Sequence, residues 1–243
     1  MLQPDHGFRF SVDSLLLSVF ITPKYRSMVQ DLGCGCGVVG LGLLLANTEK
    51  EVRLLGVDND PEMVTCAMQN SKRLGLEHMT QFLHMSAAEI ITSRSINPES
   101  MDLVLINPPY RRPGTGRIPE NKSKKAATFV PDTGLEDFFK AAFFALKNKG
   151  KAGIVYPASR LNELLSGLDF YQLRPKRILP VQGRLERPAS LVLVQAVKNA
   201  GREMVLLPPL VLYDSQNQLT REAGNLCPYL KSNPVRNHKP TGR

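Results

Sequence analysis

The chain has 243 residues, of which 42% are hydrophobic and 22% are charged, and its formal net charge is +9 at neutral pH. This balance is typical of a globular protein and excludes an intrinsically disordered chain. The best apolar runs, such as Val38 to Ala46, are too short to span a bilayer, which argues against a membrane protein. A chain of this length buries enough surface on folding to need no disulfide or metal staple.

The cysteines and the charge indicate the compartment and the kind of partner. Cys34 and Cys36 lie in a glycine-rich run while Cys66 and Cys227 are isolated, so no paired disulfide framework is visible. The N-terminus lacks the basic and apolar segments of a signal peptide, and we expect a cytoplasmic protein with reduced thiols. The excess of basic residues favours a polyanionic partner such as nucleic acid, although many basic proteins bind none.

Short apolar runs without polar alternation are interleaved with helical patterns along the chain. The predicted strands are Ser27 to Leu32, Val52 to Val57, Thr80 to His84, Met101 to Ile106, Ala152 to Tyr156, Arg177 to Val181 and Leu191 to Val197. The predicted helices are Val38 to Ala46, Pro61 to Leu74, Leu135 to Leu146 and Ser159 to Leu168. Asp60 and Pro61 suit the N-cap and the first turn of the second of these helices.

This order of elements predicts an α/β fold with a doubly wound, mostly parallel sheet that binds ligands at the carboxyl ends of its strands. The last two strands, joined by a polar connection containing proline, are predicted to form an antiparallel pair. We expect a single domain over residues 1–230. Residues 111–125, which are basic and rich in Pro and Gly, are predicted to form a mobile surface loop, and residues 231–243 a flexible basic tail.

A glycine-rich run follows the first predicted strand and opens the next helix. The run from Asp31 to Gly37 reads D-x-G-x-G-x-G, and its glycines allow backbone conformations closed to other residues and a close approach of a ligand. Asp58 ends the second strand, where a carboxylate can accept both hydroxyls of a ribose. Together these residues indicate a cofactor that contains adenosine, without identifying which one.

Two cofactors compete for this site. Gly35 to Gly40 fits the dinucleotide pattern G-x-G-x-x-G, with Asp58 at about the right distance downstream, but a lone match of this kind is weak. Asp31 precedes the first glycine, and a carboxylate there would repel the phosphates of a dinucleotide. The same carboxylate suits S-adenosylmethionine, which carries a cationic ammonium and sulfonium and no pyrophosphate. A strand-to-helix turn that binds no ligand is the remaining alternative.

The fourth strand ends in Asn107-Pro108-Pro109-Tyr110, at the edge where a doubly wound fold places its active site. The exocyclic nitrogen of adenine is a poor nucleophile because its lone pair is delocalised into the ring. If the Asn107 side-chain oxygen and the Pro108 carbonyl accept its two hydrogens, the lone pair can point at a methyl donor. The Tyr110 ring offers a surface on which a flipped-out base can stack. A plain turn after a strand is the structural alternative.

These motifs resemble the amino methyltransferases with an N-P-P-Y motif, which methylate adenine N6 in nucleic acids or glutamine in release factors. Gly7 to Leu16 is similar to the opening of the bacterial tRNA(Val) adenine-N6-methyltransferases, which modify the adenine at position 37. Four segments of the second half are also similar to that family: Pro157 to Leu165, Pro175 to Arg177, Pro188 to Val194 and Pro208 to Asp214. The resemblance therefore covers nearly the whole chain up to the tail.

The resemblance implies a Rossmann-like class I methyltransferase with a seven-stranded, mostly parallel sheet, one antiparallel strand and helices on both faces. It also implies that residues 1–26 pack over the cofactor site. The implied cofactor is S-adenosylmethionine, with S-adenosylhomocysteine as product and no metal. The implied catalytic residues are Asn107, Pro108 and Tyr110. The implied cofactor-binding residues are Phe10, Asp31, Gly33, Cys34, Gly35, Asp58, Asn59, Ser86, Ala87 and Asn107.

Three departures from that family bear on affinity and on substrate. Ser86 stands where relatives usually carry the Asp that holds the cofactor's adenine amine, so weaker cofactor binding is expected rather than lost activity. Gln182-Gly183-Arg184 replaces an expected His-Pro-Arg, and the segment around Phe129 to Asp132 looks unlike its relatives. Both of these departures concern the identity of the substrate more than the chemistry.

Basic residues crowd the segment directly after Tyr110. Beside an active site they would hold phosphates and position the acceptor base, although a solvated loop is the simpler alternative. The predicted RNA-binding residues are Arg111, Arg112, Arg117, Lys122, Lys124 and Lys125. Lys176, Arg177, Arg184 and Arg187 are expected to extend the same basic face.

The favoured hypothesis is methyl transfer from S-adenosylmethionine to adenine N6 in RNA, with position 37 of valine tRNA as the preferred acceptor. Alternatives are N-methylation of ribosomal RNA, DNA or a protein glutamine, or a non-catalytic RNA-binding protein that retains the fold. Residues 1–30 leave no room for the helical substrate-docking domain expected of a release-factor glutamine methyltransferase. We expect no membrane partner and no obligate protein partner.

Overall fold

The computed structural model describes residues 1–2, 12–109 and 134–232, and within these ranges nine strands form one sheet. The strands are β1 (Met28–Leu32), β2 (Arg53–Asp58), β3 (Thr80–His84), β4 (Met101–Ile106), β5 (Leu146–Pro157), β6 (Leu173–Gln182), β7 (Leu191–Lys198), β8 (Val205–Leu206) and β9 (Leu210–Val211). All seven predicted strands are present. β5 begins earlier than predicted, because its hydrogen bonds continue through a polar, exposed stretch that apolar patterning does not detect.

Six α-helices lie in the described residues: α1 (Val12–Phe20), α2 (Val38–Leu45), α3 (Pro61–Arg73), α4 (Leu135–Ala145), α5 (Leu161–Phe170) and α6 (Arg221–Leu226). The four predicted helices correspond to α2 to α5. The side chain of Asp60 accepts hydrogen bonds from the backbone N–H groups of Glu62 and Met63, which confirms it as the N-cap of α3. In the described part of the chain, no helix is both long and apolar enough to span a membrane.

The sheet has the order β3-β2-β1-β4-β5-β7-β6-β8, with β9 paired to β6. β1 is parallel to both β2 and β4, whereas β7 is antiparallel to both β5 and β6. The predicted antiparallel pair and the mostly parallel sheet are therefore confirmed, and the two-residue strands β8 and β9 extend the predicted seven. Because β6 runs in the same direction as β5, strands β1 to β6 all end at one edge of the sheet, here called the carboxyl edge.

Helices cover both faces of the sheet, as predicted. One face packs against α1 and α2 through a core that includes Leu41, Leu103 and Leu105. The opposite face packs against α4 and α5 through a core that includes Ile106 and Phe139. The two cores fix the strands relative to one another and so fix the positions of the loops that leave the carboxyl edge.

The N-terminal and C-terminal segments contain structure that the sequence patterns do not predict. In α1, Leu16 and Leu17 are fully buried, so this helix is part of the core. Near the C-terminus, a 3₁₀ helix over Pro228–Ser232 includes the first two residues of the predicted tail. The rest of the tail, the predicted loop at 111–125, and residues 3–11 of the N-terminal segment lie outside the described residues.

Candidate active site

The glycine-rich turn after β1 uses its backbone donors within the protein. The N–H groups of Gly33 and Cys34 donate to the carbonyl of Val57 at 2.8 and 3.0 Å, and the N–H of Gly37 donates to the carbonyl of Cys34 at 2.9 Å. Gly33, Gly35 and Gly37 have φ angles of 69°, 53° and 85°. This left-handed region favours glycine, so the spacing of the glycines reflects the path of the turn itself.

Asp31 lies beneath this turn with its side chain almost completely buried, at 1% exposure. Its Oδ2 accepts a hydrogen bond from the backbone N–H of Gly40 at 2.8 Å, while its Oδ1 is buried and has no partner among the described residues. Burial raises the pKa of Asp31 to about 7; the Gly40 N–H lowers it in part, and the charge of Asp58 raises it further. Among the described residues, this buried carboxylate therefore lacks a counter-charge.

Asp58 ends β2 and lies across the turn from Gly35. Its Oδ2 accepts the backbone N–H of Gly35 at 2.7 Å and its Oδ1 accepts the backbone N–H of Asp60 at 3.0 Å. Burial raises the pKa of Asp58, and these two backbone donors oppose the rise. Each carboxylate oxygen has two lone pairs, so both retain acceptor capacity for hydroxyl groups such as those of a ribose.

The space around the turn is uneven. A Cβ built on Gly35 would meet no atom of the described residues within 4 Å, whereas one on Gly33 would lie 3.2 Å from Cε1 of Phe138 in α4. Cys34 is buried against β2, with its Sγ facing Gly56. Gly35 therefore borders open space, and a contact between Cys34 and a cofactor stays a prediction.

The donor set of this turn distinguishes between the two cofactors considered. Dinucleotide sites hold pyrophosphate with backbone N–H groups at a helix N-terminus. Here Gly33, Cys34, Gly35 and Gly37 donate these groups to protein oxygens, and the buried carboxylate of Asp31 lies below. A phosphate would meet few donors and like charge, whereas a cationic group would meet a carboxylate without a counter-charge. The residues fit S-adenosylmethionine better than a dinucleotide.

The end of β3 supplies a carboxylate that the sequence patterns miss. The backbone N–H and the hydroxyl of Ser86 both donate to Oε2 of Glu89, at 2.7 and 2.6 Å. These hydrogen bonds lower the pKa of the exposed Glu89 carboxyl, so it is held in its ionised form. Asp58 pairs with His84 at the ends of β2 and β3, and the Glu89 carboxylate lies in the 3₁₀ helix Ala88–Ile91 that follows β3. Asn59 and Ala87 follow the ends of β2 and β3, and their contact with the cofactor stays a prediction.

The end of β4 places Asn107 and Pro108 beside the glycine-rich turn. Leu32 of β1 pairs with Ile106 of β4, so the residues that follow each strand leave the sheet side by side. Asn107 is half-buried and Pro108 is buried. The side-chain amide nitrogen of Asn107 donates to the hydroxyl of Ser14 in α1 at 2.9 Å. Phe10 and Tyr110 are the two aromatic residues predicted for the site, and both lie outside the described residues.

The predicted basic residues divide by position. Arg111, Arg112, Arg117, Lys122, Lys124 and Lys125 lie outside the described residues. Of the others, Lys176 forms an ion pair with Glu203, and Arg177 packs over the ring of Phe20. Arg184 and Arg187 are exposed in the turn between β6 and β7, which lies at the carboxyl edge.

Ser14 and Glu89 are the site residues that the sequence reasoning missed. Ser14 falls within the Gly7 to Leu16 segment that carries the family resemblance, but that segment assigns it no role. The sequence S-x-x-E at Ser86 to Glu89 is a capping-box pattern, which could have indicated that these two side chains meet. Among the described residues, no group of three or more His, Cys, Asp or Glu side chains could hold a metal ion.

Residues 11–163, more than half of the chain, match the family model described as the methyltransferase small domain. A tRNA1(Val) (adenine(37)-N6)-methyltransferase from Haemophilus influenzae is 22% identical over 218 residues, covering 90% of this chain and 89% of that protein. A protein of the same name from Trichodesmium erythraeum is 22% identical over 192 residues, covering 79% of this chain and 78% of its own length.

A solved structure of a predicted O-methyltransferase from Agrobacterium tumefaciens matches with a TM-score of 0.71 at 18% identity, covering 89% of this chain and 96% of that chain. At such low identity the match concerns the fold alone. The fold, with its glycine-rich turn and the acidic residues near the ends of β1 and β2, is that of the S-adenosylmethionine-dependent methyltransferases. The match to the family model extends over most of this fold, and the chain belongs to the methyltransferase small domain family.

Proposed function

We propose that this methyltransferase transfers a methyl group from S-adenosylmethionine to the N6 amine of an adenine in RNA, with position 37 of valine tRNA as the acceptor to test first. The observation that carries the proposal is the pairing of Leu32 with Ile106, which sets the glycine-rich turn beside Asn107 and Pro108. Adjacent strands lie about 4.8 Å apart, so a methyl donor at one strand end can reach an acceptor at the next.

The cofactor-binding part of the proposal divides the carboxylates by role. Asp31 would balance the cationic methionyl end, because its Oδ1 is buried without a partner. Asp58 would accept the ribose hydroxyls, and Glu89, held by Ser86, would accept the adenine amine. When bound, the cofactor would supply an electrophilic methyl group. The departure at Ser86 is then compensated by a carboxylate three residues further along the chain.

Asn107 and Pro108 would orient the acceptor. The Asn107 side-chain oxygen and the Pro108 carbonyl accept the two hydrogens of the adenine amine, which draws the nitrogen toward a tetrahedral geometry and aims its lone pair at the methyl group. Pro108 has a fixed φ and is buried, so its carbonyl is held in place. The residues act by preorganisation, and no side chain has to exchange a proton before the transfer.

An RNA acceptor is supported by charge and by the relatives. The chain carries 31 Lys and Arg residues against 22 Asp and Glu residues. Two of these arginines, Arg184 and Arg187, are exposed at the carboxyl edge. The relatives from Haemophilus influenzae and Trichodesmium erythraeum each match more than three quarters of this chain, and both have names that specify adenine 37 of a tRNA.

The decisive experiment measures transfer of radiolabelled methyl from S-adenosylmethionine to total tRNA that lacks this modification, followed by nucleoside analysis. We expect labelled N6-methyladenosine. Asn107→Ala should abolish transfer while cofactor affinity changes less than about twofold, since Asn107 acts mainly on the acceptor. Asn97→Ala, a change at an exposed Asn away from the site, is the matched control and should keep the wild-type rate.

The other outcomes separate the alternatives. Label on ribosomal RNA, DNA or protein glutamine would keep the cofactor and overturn the acceptor. Cofactor binding without label on any acceptor would favour an RNA-binding protein that retains the fold. Normal turnover by Asn107→Ala would contradict the role proposed for the N-P-P-Y motif.

A further inference from the structure

We infer that Ser14 of α1 is a positioning residue for Asn107 and so helps to orient the acceptor amine. This inference rests on the proposed function, in which the Asn107 side-chain oxygen accepts a hydrogen from the substrate. The amide nitrogen of Asn107 donates to the Ser14 hydroxyl at 2.9 Å, and the two residues are 93 positions apart in the sequence. α1 was not predicted from the sequence, and none of its residues was assigned a role.

Ser14 is held firmly enough to orient another side chain. It is 5% exposed, and the two residues that follow Leu15 in α1, Leu16 and Leu17, are fully buried. The helix also lies directly on the sheet, because a Cβ on Gly153 of β5 would lie 3.4 Å from Leu17 of α1 and 2.7 Å from Ile21, the residue that follows the helix. α1 is therefore packed against the sheet, and the Ser14 hydroxyl has a defined position relative to the end of β4.

The hydrogen bond bears on which end of the amide meets the substrate. An Asn side chain has a donor end, the nitrogen, and an acceptor end, the oxygen. The substrate amine has hydrogens to donate, so only the oxygen end can serve it. By accepting a hydrogen from the nitrogen, Ser14 commits the donor end to the protein and fixes the plane of the amide. Without this hydrogen bond the amide loses one of the contacts that set its plane, and the productive orientation is populated less.

The expected effect falls on the transfer step. Ser14→Ala should lower the single-turnover methylation rate about 10- to 100-fold, the size of effect that a small misplacement at a reacting centre produces. Affinity for S-adenosylmethionine and the melting temperature should stay close to wild type. Ser14→Cys should lose as much rate as Ser14→Ala, since a thiol fills the same space but accepts hydrogen bonds weakly. Ser14→Thr keeps the hydroxyl and should retain most of the rate.

Ser18→Ala is the matched control. Ser18 lies one turn further along α1, is fully buried, and donates its hydroxyl to the carbonyl of Leu15 rather than to a site residue. The experiment measures single-turnover rate, cofactor affinity by calorimetry and melting temperature for all five proteins. Loss of rate in the Ala and Cys variants at position 14, with retention in Ser14→Thr and Ser18→Ala, supports the inference.

Several results would overturn it. A wild-type rate for Ser14→Ala would mean that the hydrogen bond is not needed. A wild-type rate for Ser14→Cys with a reduced rate for Ser14→Ala would mean that only the shape of the side chain matters. An equal loss in Ser18→Ala would assign the effect to the packing of α1. If Asn107→Ala is inactive while Ser14→Ala is normal, the positioning role fails and the proposed function stands. If neither change affects the rate, the role of Asn107 in the proposed function fails as well.

Discussion

Oδ2 of Asp31 accepts the backbone N–H of Gly40 at 2.8 Å, across the start of α2. This is the one hydrogen bond to the Asp31 carboxylate within the described residues, and Oδ1 remains buried without a partner. A single donor does not compensate for the burial of a charge, which explains why the pKa of Asp31 rises to about 7. A cationic ligand beside Oδ1 would supply the missing interaction and stabilise the carboxylate.

Affinity for S-adenosylmethionine should therefore depend on pH. The pKa of Asp31 is raised in the folded chain, so the carboxyl is protonated below about pH 7 and ionised above it. Because the cation prefers the ionised form, affinity should fall by up to about tenfold per pH unit below pH 7, while above about pH 8 the loss of the proton from the cofactor's own ammonium sets the profile. Near pH 7, binding should release about half a proton from this group. Calorimetry in buffers of different ionisation enthalpy measures both quantities.

Asp31→Asn is the control for this pH dependence. The cofactor's own α-amino group titrates at about pH 7.7 to 8.0, and the Asn variant isolates that contribution because it lacks the carboxyl. Among the described residues, Asp58, Cys34 and Cys36 are the ionisable neighbours. Asp58 remains in both proteins, and burial raises the pKa of the Cys34 thiol well above its usual value and that of the Cys36 thiol to about 11. If wild type and Asp31→Asn share one pH profile, Asp31 is not the group that binds the cation.

Gly40→Ala should destabilise the fold through packing. A Cβ at this position would lie 2.6 Å from Leu54 and 3.0 Å from Oδ2 of Asp31, which is closer than side chains tolerate. We expect a loss of about 1–3 kcal/mol in the free energy of unfolding, measured by chemical denaturation. Gly183→Ala, where the added Cβ meets no atom within 4 Å, should change stability by less than about 0.5 kcal/mol. Equal stability of the two variants would contradict the close packing of α2 on β2.

Glu89→Ala should weaken cofactor binding and should also lower the preference of the site for adenine over hypoxanthine. Oε2 of Glu89 accepts hydrogen bonds from the backbone N–H and the hydroxyl of Ser86. In the proposed function, the same carboxylate also accepts a hydrogen bond from the adenine amine. At this exposed position we expect an affinity loss of about 3- to 10-fold. The sharper measurement compares S-adenosylhomocysteine with its inosine analogue, which lacks the amine. Wild type should prefer the adenosine form, and Glu89→Ala should lose that preference.

A matched change keeps this prediction specific. Glu49 is exposed near the start of β2, at the opposite edge of the sheet, and Glu49→Ala removes the same charge without touching the site. It should keep the wild-type preference between the two nucleosides. A preference for adenosine that survives in Glu89→Ala would leave Glu89 with only its capping contact to Ser86.

Exchanging Arg184 and Arg187 together for Ala should weaken RNA binding in a salt-dependent way. Both residues are exposed in the β6–β7 turn at the carboxyl edge, three strand positions or about 14 Å across the sheet from the end of β4. Each phosphate contact adds about 0.7 to the slope of log affinity against log salt for single-stranded RNA. The double variant should therefore lower that slope by about 1.4, as measured by binding titrations at several salt concentrations.

The control for charge alone is the double change Lys24→Ala and Arg53→Ala. These two basic residues are exposed near the starts of β1 and β2, at the edge of the sheet opposite the site. The two changes remove the same charge as the Arg184 and Arg187 changes. If RNA binds at the carboxyl edge, the slope of log affinity against log salt should therefore stay near the wild-type value. Equal slopes for the two double variants would indicate diffuse attraction by the whole protein instead of a defined surface.

The sequence alone determined the parts of this protein that depend on local patterns. Apolar runs located all seven main strands, and the Asp60-Pro61 pair located the start of α3, because burial and capping act over a few neighbouring residues. The positions of Asp31, Asp58 and Asn107 at the carboxyl edge were also predictable, since Asp31 lies one residue before the end of β1, Asp58 ends β2 and Asn107 follows β4. Short elements such as β8, β9 and α6 were not predicted, because a segment of two to six residues contains too little periodicity to identify a strand or a helix.

Only the tertiary structure decided which side chains meet. Ser14 reaches Asn107 across 93 positions because α1 packs on the same face of the sheet as α2, and no local pattern specifies that contact. The structure also paired Oδ2 of Asp31 with Gly40 while leaving Oδ1 without a partner, a difference between two atoms of one side chain. Burial and strand order set these relationships, and both result from the packing of the whole chain rather than from any segment of it.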